Sequence, residues 1–188
     1  IFDLFFFFLK TKLQEAGQRN LSLQLQFVLG NIGNVTSTID FPYGEFVHAV
    51  GTYSAENGIH VYINGNSVGA VSGDGLTTIT NTDVSLSINQ CRWCQYLWSN
   101  KSIDELKIWD VELSPEEIYS EFLGENEFDN YSLKANWKFN EGSGDILYDQ
   151  SGNQNHGTIY GDPQWISLDA EEDLCCYDEG NDADDDGI

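Results

Sequence analysis

Leu21 to Leu29 (LSLQLQFVL) alternates apolar and polar positions: Leu21, Leu23, Leu25 and Phe27 fall on one side, and Ser22, Gln24 and Gln26 on the other. That period of two is the mark of a half-buried strand. Val35 to Phe41 reads as a second strand, stopped by Pro42-Tyr43-Gly44. Glu45 to Tyr53 (EFVHAVGTY) is apolar on both faces and is predicted to be a central strand. Ile59 to Ile63 places Ile59, Val61 and Ile63 inward and His60 and Tyr62 outward. Asn64-Gly65 follows, a strong hairpin signal because a type I′ turn needs positive φ at both central residues, and Asn66 to Val71 runs back antiparallel. Further short strands are predicted at Val84 to Ile88, at Lys101 to Trp109 with Leu106 and Ile108 on one face, at Tyr131 to Phe139, and at Gly157 to Tyr160. The opening run Ile1 to Leu9 (IFDLFFFFL) is too short for a bilayer, which needs about 20 apolar residues. It also lacks a basic leader and a small-residue cleavage site, so it reads as a buried strand. Many short strands at near-regular spacing predict an all-β sandwich or jelly roll.

One segment departs from the strand period. Ser114-Pro115-Glu116-Glu117 carries an N-cap residue, proline at the first helical position and the glutamate of a capping box. Ile118, Phe122 and Leu123 form the expected buried stripe, and Gly124 stands where a C-terminal cap belongs. A single short helix among strands is a lid or corner piece rather than a second layer.

Charge narrows the function. Eight Lys and Arg stand against 31 Asp and Glu, a formal net charge of −23. Such a chain cannot neutralise phosphates, which excludes nucleic acid as a partner and disfavours anionic membrane surfaces. The five Trp suit a packed core. Leu168 to Ile188 holds ten acidic residues and no Lys or Arg, which reads as a solvated, disordered acidic tail. The chain begins at Ile1 and contains no Met, so it is expected to be a piece of a longer protein.

Phe46 to Gly69 (FVHAVGTYSAENGIHVYINGNSVG) resembles a signature of laminin-G-like jelly-roll domains through Phe46, His48, Ala49, Thr52, Tyr53, Tyr62, Asn64 and Gly65. Ser102 to Tyr119 (SIDELKIWDVELSPEEIY) is similar to a second signature of the family. A frequent companion motif follows: Trp137-x-Phe139-Asn140-Glu141-Gly142, then Asp149-x-Ser151-Gly152-Asn153-x-Asn155-His156-Gly157, then Trp165. Position 46 is Phe where the family usually has Trp, and the opening strand of the family is missing or altered. The resemblance implies an all-β, antiparallel two-sheet jelly-roll sandwich of the concanavalin A-like lectin and glucanase superfamily, with one short helix. Residues 1–166 would form that domain, lacking its opening strand. Residues 167–188 would be an acidic linker ending in an incomplete calcium repeat.

A glycosidase needs two carboxylates facing each other at about 5–5.5 Å for retention. Asp104 and Glu105 are adjacent and so point to opposite faces of a strand, while Asp110, on the face of Asp104, lies roughly 15 Å or more away in an extended chain. His48, His60 and His156 are scattered, and no catalytic set is recognisable. The tail ends in Asp182-Ala183-Asp184-Asp185-Asp186-Gly187-Ile188, where Asp182, Asp184 and Asp186 have the D-x-D-x-D-G spacing of a loop that wraps a hard cation. It resembles the start of a thrombospondin type 3 or dockerin-like calcium repeat, without the later acidic ligand. By resemblance, Asp104 and Asp149 are candidate calcium ligands at the sheet rim. The alternative is that Asp104 makes strand-end hydrogen bonds and Asp149-x-Ser151-Gly152-Asn153 is an Asx-type turn.

Cys91, Cys94, Cys175 and Cys176 allow three pairings and are read as disulfide candidates in an oxidising compartment. Asn20, Asn34, Asn100 and Asn130 open Asn-x-Ser/Thr sequons, meaningful in a secreted eukaryotic protein. Trp93, Tyr96 and Trp98 fall in the loop from Cys91 to Asn100, where rings can stack on sugars, anchor a protein or fold back over the rim. The expectation is a non-catalytic, secreted or cell-surface module for carbohydrate binding or cell adhesion, with a glycan or extracellular protein as partner and calcium as a possible aid. The alternatives are a structural spacer in a large surface protein and a targeting module of a carbohydrate-active enzyme.

Overall fold

The computed structural model describes residues 6–13, 24–29, 33–42, 44–73, 86, 88, 101–125, 132–161 and 163–166. In chain order the elements are β1 (Phe6–Leu13), β2 (Gln26–Leu29), β3 (Gly33–Thr36), β4 (Val47–Ser54), β5 (Gly58–Ile63), β6 (Asn66–Val71), β7 (Lys101–Trp109), α1 (Pro115–Leu123), β8 (Leu133–Trp137), β9 (Ile146–Leu147) and β10 (Gly157–Thr158). Six strands form one sheet in the order β6-β5-β4-β1-β7-β8, while β2 pairs with β3 and β9 with β10. Every pairing is antiparallel. Among the described residues the fold is antiparallel β with one helix, as expected. The predicted strand at Val84 to Ile88 and the first residues of the Leu21 strand lie mostly outside the described residues, as does the acidic tail.

β4 is central, as its two-sided apolar pattern predicts, and its first seven residues are buried. On one face Val47, Ala49 and Tyr53 pack with Ile59, Val61 and Ile63 and with Val35, Phe41 and Val68. The β2–β3 hairpin lies over this face, with β3 against β5 and β6. Gly51 makes room for it: a Cβ there would stand 2.6 Å from the Phe27 ring. Leu106 and Ile108 belong to the same side, since Gly51 and Ile108 share the register partner Phe7 on β1. They pack with Ala135, Trp137 and Leu147.

The opposite face is covered by α1, and here two expectations are corrected. Tyr62 does not point to solvent. It is buried with Val50, Trp109, Leu113, Ile118 and Leu133, because the helix roofs the face that a period-two reading leaves open. The helical stripe also differs. Ile118 is buried, but Phe122 and Leu123 are 39% and 47% exposed, and the inward position near the end of the helix is held by Glu121. Glu121 pairs with Lys107 of β7, so a polar spot on the sheet selects an acid there rather than an apolar residue. Burial of Ile118 is worth roughly 2–5 kcal/mol by the usual cost of truncating such a residue to Ala.

The helix ends are set as the sequence indicates. Ser114 Oγ accepts from the Glu117 backbone N–H, the Glu117 carboxylate accepts from the Ser114 N–H, and Gly124 closes the helix at φ 72°. The Asn64-Gly65 turn has φ of 50° and 75°. It sits under the helix, where a Cβ on Gly65 would come within 2.6 Å of the Tyr119 ring.

β7 also departs from ideal alternation. The β1–β7 register shifts between Phe8 and Lys10, with Phe8 opposite Lys107 and Lys10 opposite Asp104. Glu105, at φ 50°, occupies the kink. The bulge puts Asp104 and Lys107 on one face, so simple alternation no longer relates Asp104 to Asp110.

Candidate functional site

The motif from Asp149 to Gly157 fastens the β9–β10 ribbon to the edge strand β8. Asp149 Oδ1 accepts from the backbone N–H of Asn136 and of Ser151, each at 2.8 Å. Its Oδ2 accepts from the Ser151 hydroxyl and the Asn155 N–H, each at 2.9 Å. Burial alone would raise this carboxyl group's pKa, but the bonds from Ser151, Asn136 and Asn155 outweigh it and hold the value below the ordinary 3.8. The amides of the motif complete the clamp. Asn153 Nδ2 donates to the Leu133 carbonyl at 2.7 Å, Asn155 Nδ2 donates to the Lys134 carbonyl at 2.8 Å, and Trp137 Nε1 donates to the Asn155 carbonyl at 2.9 Å. The Asp149 N–H donates to His156 Nδ1 at 3.0 Å. In that bond Nδ1 of the imidazole is the acceptor. Each Asp or Asn thus supplies a partner that an irregular backbone lacks.

The clamp decides what the ribbon shows to solvent. Leu147 and Asp149 turn inward and are buried, whereas Ile146 and Tyr148 turn outward, 41% and 51% exposed. Thr158 stands opposite Ile146. The Tyr148 and His156 rings meet edge to face at 5.4 Å and 73°. Tyr160, two residues beyond Thr158, is 87% exposed. The segments before and after the ribbon border an open depression of about 250 Å³, with Ser143, Gly144, Asp145, Gly161, Pro163 and Trp165 in its wall; the Tyr148, His156 and Tyr160 rings do not line it. Its floor is fixed by the Ile159 N–H donating to the Asp145 carbonyl at 2.8 Å and by Trp165 packing on the Trp137–Leu147 core. The space is below the roughly 300–1,000 Å³ of a pocket that encloses a whole ligand. It suits one ring of a longer molecule that continues over the surface.

Of the residues singled out by sequence, Trp93, Tyr96 and Trp98 lie outside the described residues, as do Cys91, Cys94, Cys175, Cys176, Asp182, Asp184 and Asp186. Asp104 and Asp149 are described, and they are not neighbours. Asp104 is half-buried on β7, facing the register position of Lys10, while Asp149 bridges to Trp137 of β8. The acceptor positions of Asp149 are taken by four protein donors, which does not fit a carboxylate holding calcium. Among the described residues no three His, Cys, Asp or Glu side chains converge as a metal site. No helix among them is long and apolar enough to cross a membrane. The outward rings Tyr148 and Tyr160 were missed by sequence reasoning, although Ile146-Leu147-Tyr148-Asp149 already alternates in the pattern that aims Tyr148 outward.

An antiparallel sheet carries a hairpin on one face and a capped helix on the other. The chain belongs to the Laminin_G_3 family of the concanavalin A-like lectin/glucanases superfamily, whose family model matches residues 8–119. No curated protein matches the sequence at a significant level. Among solved structures it is similar to a protein from Bacteroides ovatus ATCC 8483 described as a "putative carbohydrate binding protein", with 15% sequence identity and a TM-score of 0.57. The match covers 88% of this chain and 56% of that one, so the chain corresponds to little more than half the length of that protein.

Proposed function

We propose that this chain is a non-catalytic recognition module that binds glycan on the outward face of the β9–β10 ribbon. One observation carries the reading: Tyr148 and Tyr160 expose their rings, 51% and 87%, on a ribbon whose Asp149–Gly157 motif is hydrogen-bonded to β8. Sugar rings present C–H faces that stack on aromatic rings, and hydroxyls that pair with groups such as Ser143 and Asp145. The superfamily and the description of the Bacteroides protein support the same ligand class. In this reading the Trp93, Tyr96 and Trp98 loop is a second contact surface, and the module works outside the cell or at its surface. The four cysteines and the Asn-x-Ser/Thr sequons support that location. Calcium is assigned only to the Asp182, Asp184 and Asp186 tail, since the rim carboxylate Asp149 is already occupied.

A glycan-array screen of the folded chain, run in calcium and again in EDTA, tests the proposal. Binding of a defined sugar class is expected, weakened about tenfold by Tyr160→Ala or Tyr148→Ala, the scale of one lost ring contact. Binding that both replacements leave unchanged would remove the ribbon from the account, and binding lost only in the triple replacement of Trp93, Tyr96 and Trp98 by Ala would transfer it to that loop. No binding by a folded sample would favour a spacer domain instead.

A further inference from the structure

Two Asn-Gly pairs occur in the chain, Asn57-Gly58 and Asn64-Gly65. They stand at the turns between β4 and β5 and between β5 and β6. Such a pair is open to a spontaneous reaction, because no Cβ on the glycine shields its nitrogen from the neighbouring side-chain amide. The fold treats the two pairs unequally. Asn64 is half-buried. Its Oδ1 accepts from the His48 N–H at 3.0 Å, its own N–H donates to the His48 carbonyl at 2.8 Å, and its carbonyl accepts from Asn66 Nδ2 at 2.9 Å. The Tyr119 ring closes over Gly65. Asn57, in contrast, is exposed. Its Nδ2 donates to Glu112 Oε2 at 2.7 Å and its N–H donates to Ser54 Oγ at 2.9 Å, both at the surface. Its carbonyl accepts from His60 Nε2 at 3.0 Å. A donor on that carbonyl draws electrons from the 57–58 peptide group and makes the Gly58 N–H more acidic.

From this contrast we infer that Asn57 is a site of spontaneous deamidation in the folded protein, and that the fold protects Asn64. The Gly58 nitrogen attacks Asn57 Cγ and closes a succinimide ring. The Cγ–Nδ2 bond breaks, and Nδ2 leaves as ammonia with the proton given up by Gly58. Water then opens the ring, at Cγ to give aspartate or at the main-chain carbonyl carbon to give isoaspartate. The net change is amide plus water to acid plus ammonia. Gly58 pairs with Ser54 and packs against the Val71 carbonyl, so the turn opens briefly before the nitrogen reaches Cγ. Opening at Asn57 breaks surface bonds to Ser54 and Glu112. Opening at Asn64 breaks two bonds to the central strand β4 and displaces Tyr119 of the helix, which is the harder local motion. Glu112 restrains the reaction, because an amide held through Nδ2 cannot swing toward Gly58. After conversion a carboxylate faces Glu112 where a donor stood, and the tie between the β4–β5 turn and the segment leading into α1 is lost.

The test is to hold the whole chain in mildly alkaline buffer, sample it over time, and run a parallel sample unfolded in guanidinium chloride. After digestion, mass spectrometry resolves the peptides containing Asn57 and Asn64 into amide, aspartate and isoaspartate forms. In the folded chain Asn57 is expected to convert about tenfold faster than Asn64, the scale of one further hydrogen bond to be opened. In the unfolded chain the two rates should converge, because the dipeptides are the same. Glu112→Ala should speed conversion of Asn57 about two- to threefold, the scale of one surface hydrogen bond, and leave Asn64 unchanged. Tyr119→Ala should speed conversion of Asn64 instead. Equal rates in the folded chain, or a faster Asn64, would overturn the inference. So would a folded chain in which neither residue converts while both do so when unfolded. An Asn57 rate that Glu112→Ala leaves unchanged would overturn the restraint assigned to Glu112.

Discussion

Replacing Asp149 by Asn keeps the shape of the side chain and changes only what its far end can accept. In the native chain both carboxylate oxygens are acceptors, two bonds each, and three of the four donors are backbone N–H groups. An amide offers one oxygen and one NH2: with the NH2 at the Oδ1 position two backbone N–H groups face a donor, and at the Oδ2 position only that of Asn155 does, because the Ser151 hydroxyl can turn and accept. Hydrogen bonds to a charged group contribute about 1.5–3 kcal/mol each. The amide takes the second orientation, and the one bond lost there costs about 2 kcal/mol. Urea unfolding at pH 7, followed by tryptophan fluorescence and by circular dichroism, measures it. Trp137 and Trp165 lie under the ribbon and report its release. The pH dependence gives a second check. The folded pKa is lowered below 3.8, so the stabilisation is fully present above the unfolded value and is lost as pH falls through the folded one. The gap between native chain and variant should therefore close as the pH is taken well below 4. A difference under about 0.5 kcal/mol at pH 7, or one that stays constant down to pH 2, would refute the claim that this carboxylate holds the ribbon.

Other consequences are equally specific. Burial, with Lys107 adding to it, depresses the pKa of His48 from 6.5 to about 3. The unfolded chain therefore takes up a proton that the folded one refuses, and stability should fall by about 2 kcal/mol between pH 7 and pH 5 from this group; His48→Phe should remove that component from the urea midpoints. Gly65→Ala places a Cβ at positive φ against Tyr119 and should cost about 1–2 kcal/mol, part of which Tyr119→Ala restores in a double-mutant cycle. Ser114→Ala should cost about 1 kcal/mol through the lost cap, whereas Ser114→Gly costs a few tenths, both read by thermal unfolding.

The elements that sequence discloses are those whose signal is local. The β5–β6 hairpin is readable because Asn64-Gly65 needs nothing beyond itself, and α1 because Ser114, Pro115, Glu117 and Gly124 each cap by contacts within four residues. What was not legible depends on what packs on what. Tyr62 is inward only because α1, more than fifty residues later, crosses over its strand. Glu121 is buried only because Lys107 lies beneath it. The bulge at Glu105, a non-glycine residue at positive φ, leaves no mark in the alternation and undoes the face assignment of Asp104. Asp149 is the instructive case, since a motif dense in Asp, Ser and Asn has two readings with the same composition. Such a cluster can gather a cation or can satisfy an irregular backbone. The number of neighbouring N–H groups decides between them, and that number is set by the carbonyls and amides of β8, which sequence alone does not bring near.

That choice bears directly on recognition. A carboxylate that took a cation would leave the N–H groups of Asn136, Ser151 and Asn155 to find other partners, and the ribbon would be ordered only when the metal was bound. With the backbone as its ligand, Asp149 orders the ribbon in advance. The Tyr148 and His156 rings are held edge to face before any ligand arrives, so little further ordering entropy is lost there on binding. A flat, weakly interacting partner such as a sugar ring gains most from such a surface, because each contact is small and a mobile loop would consume it. The same reasoning separates Tyr148 from Tyr160. Tyr148 is braced by His156 and its N–H is held by Glu141, whereas Tyr160 is 87% exposed. Tyr148 should therefore govern which ligands fit, and Tyr160 how tightly an accepted ligand is held. Array profiles in which Tyr160→Ala alters the choice of ligand more than Tyr148→Ala does would contradict this division.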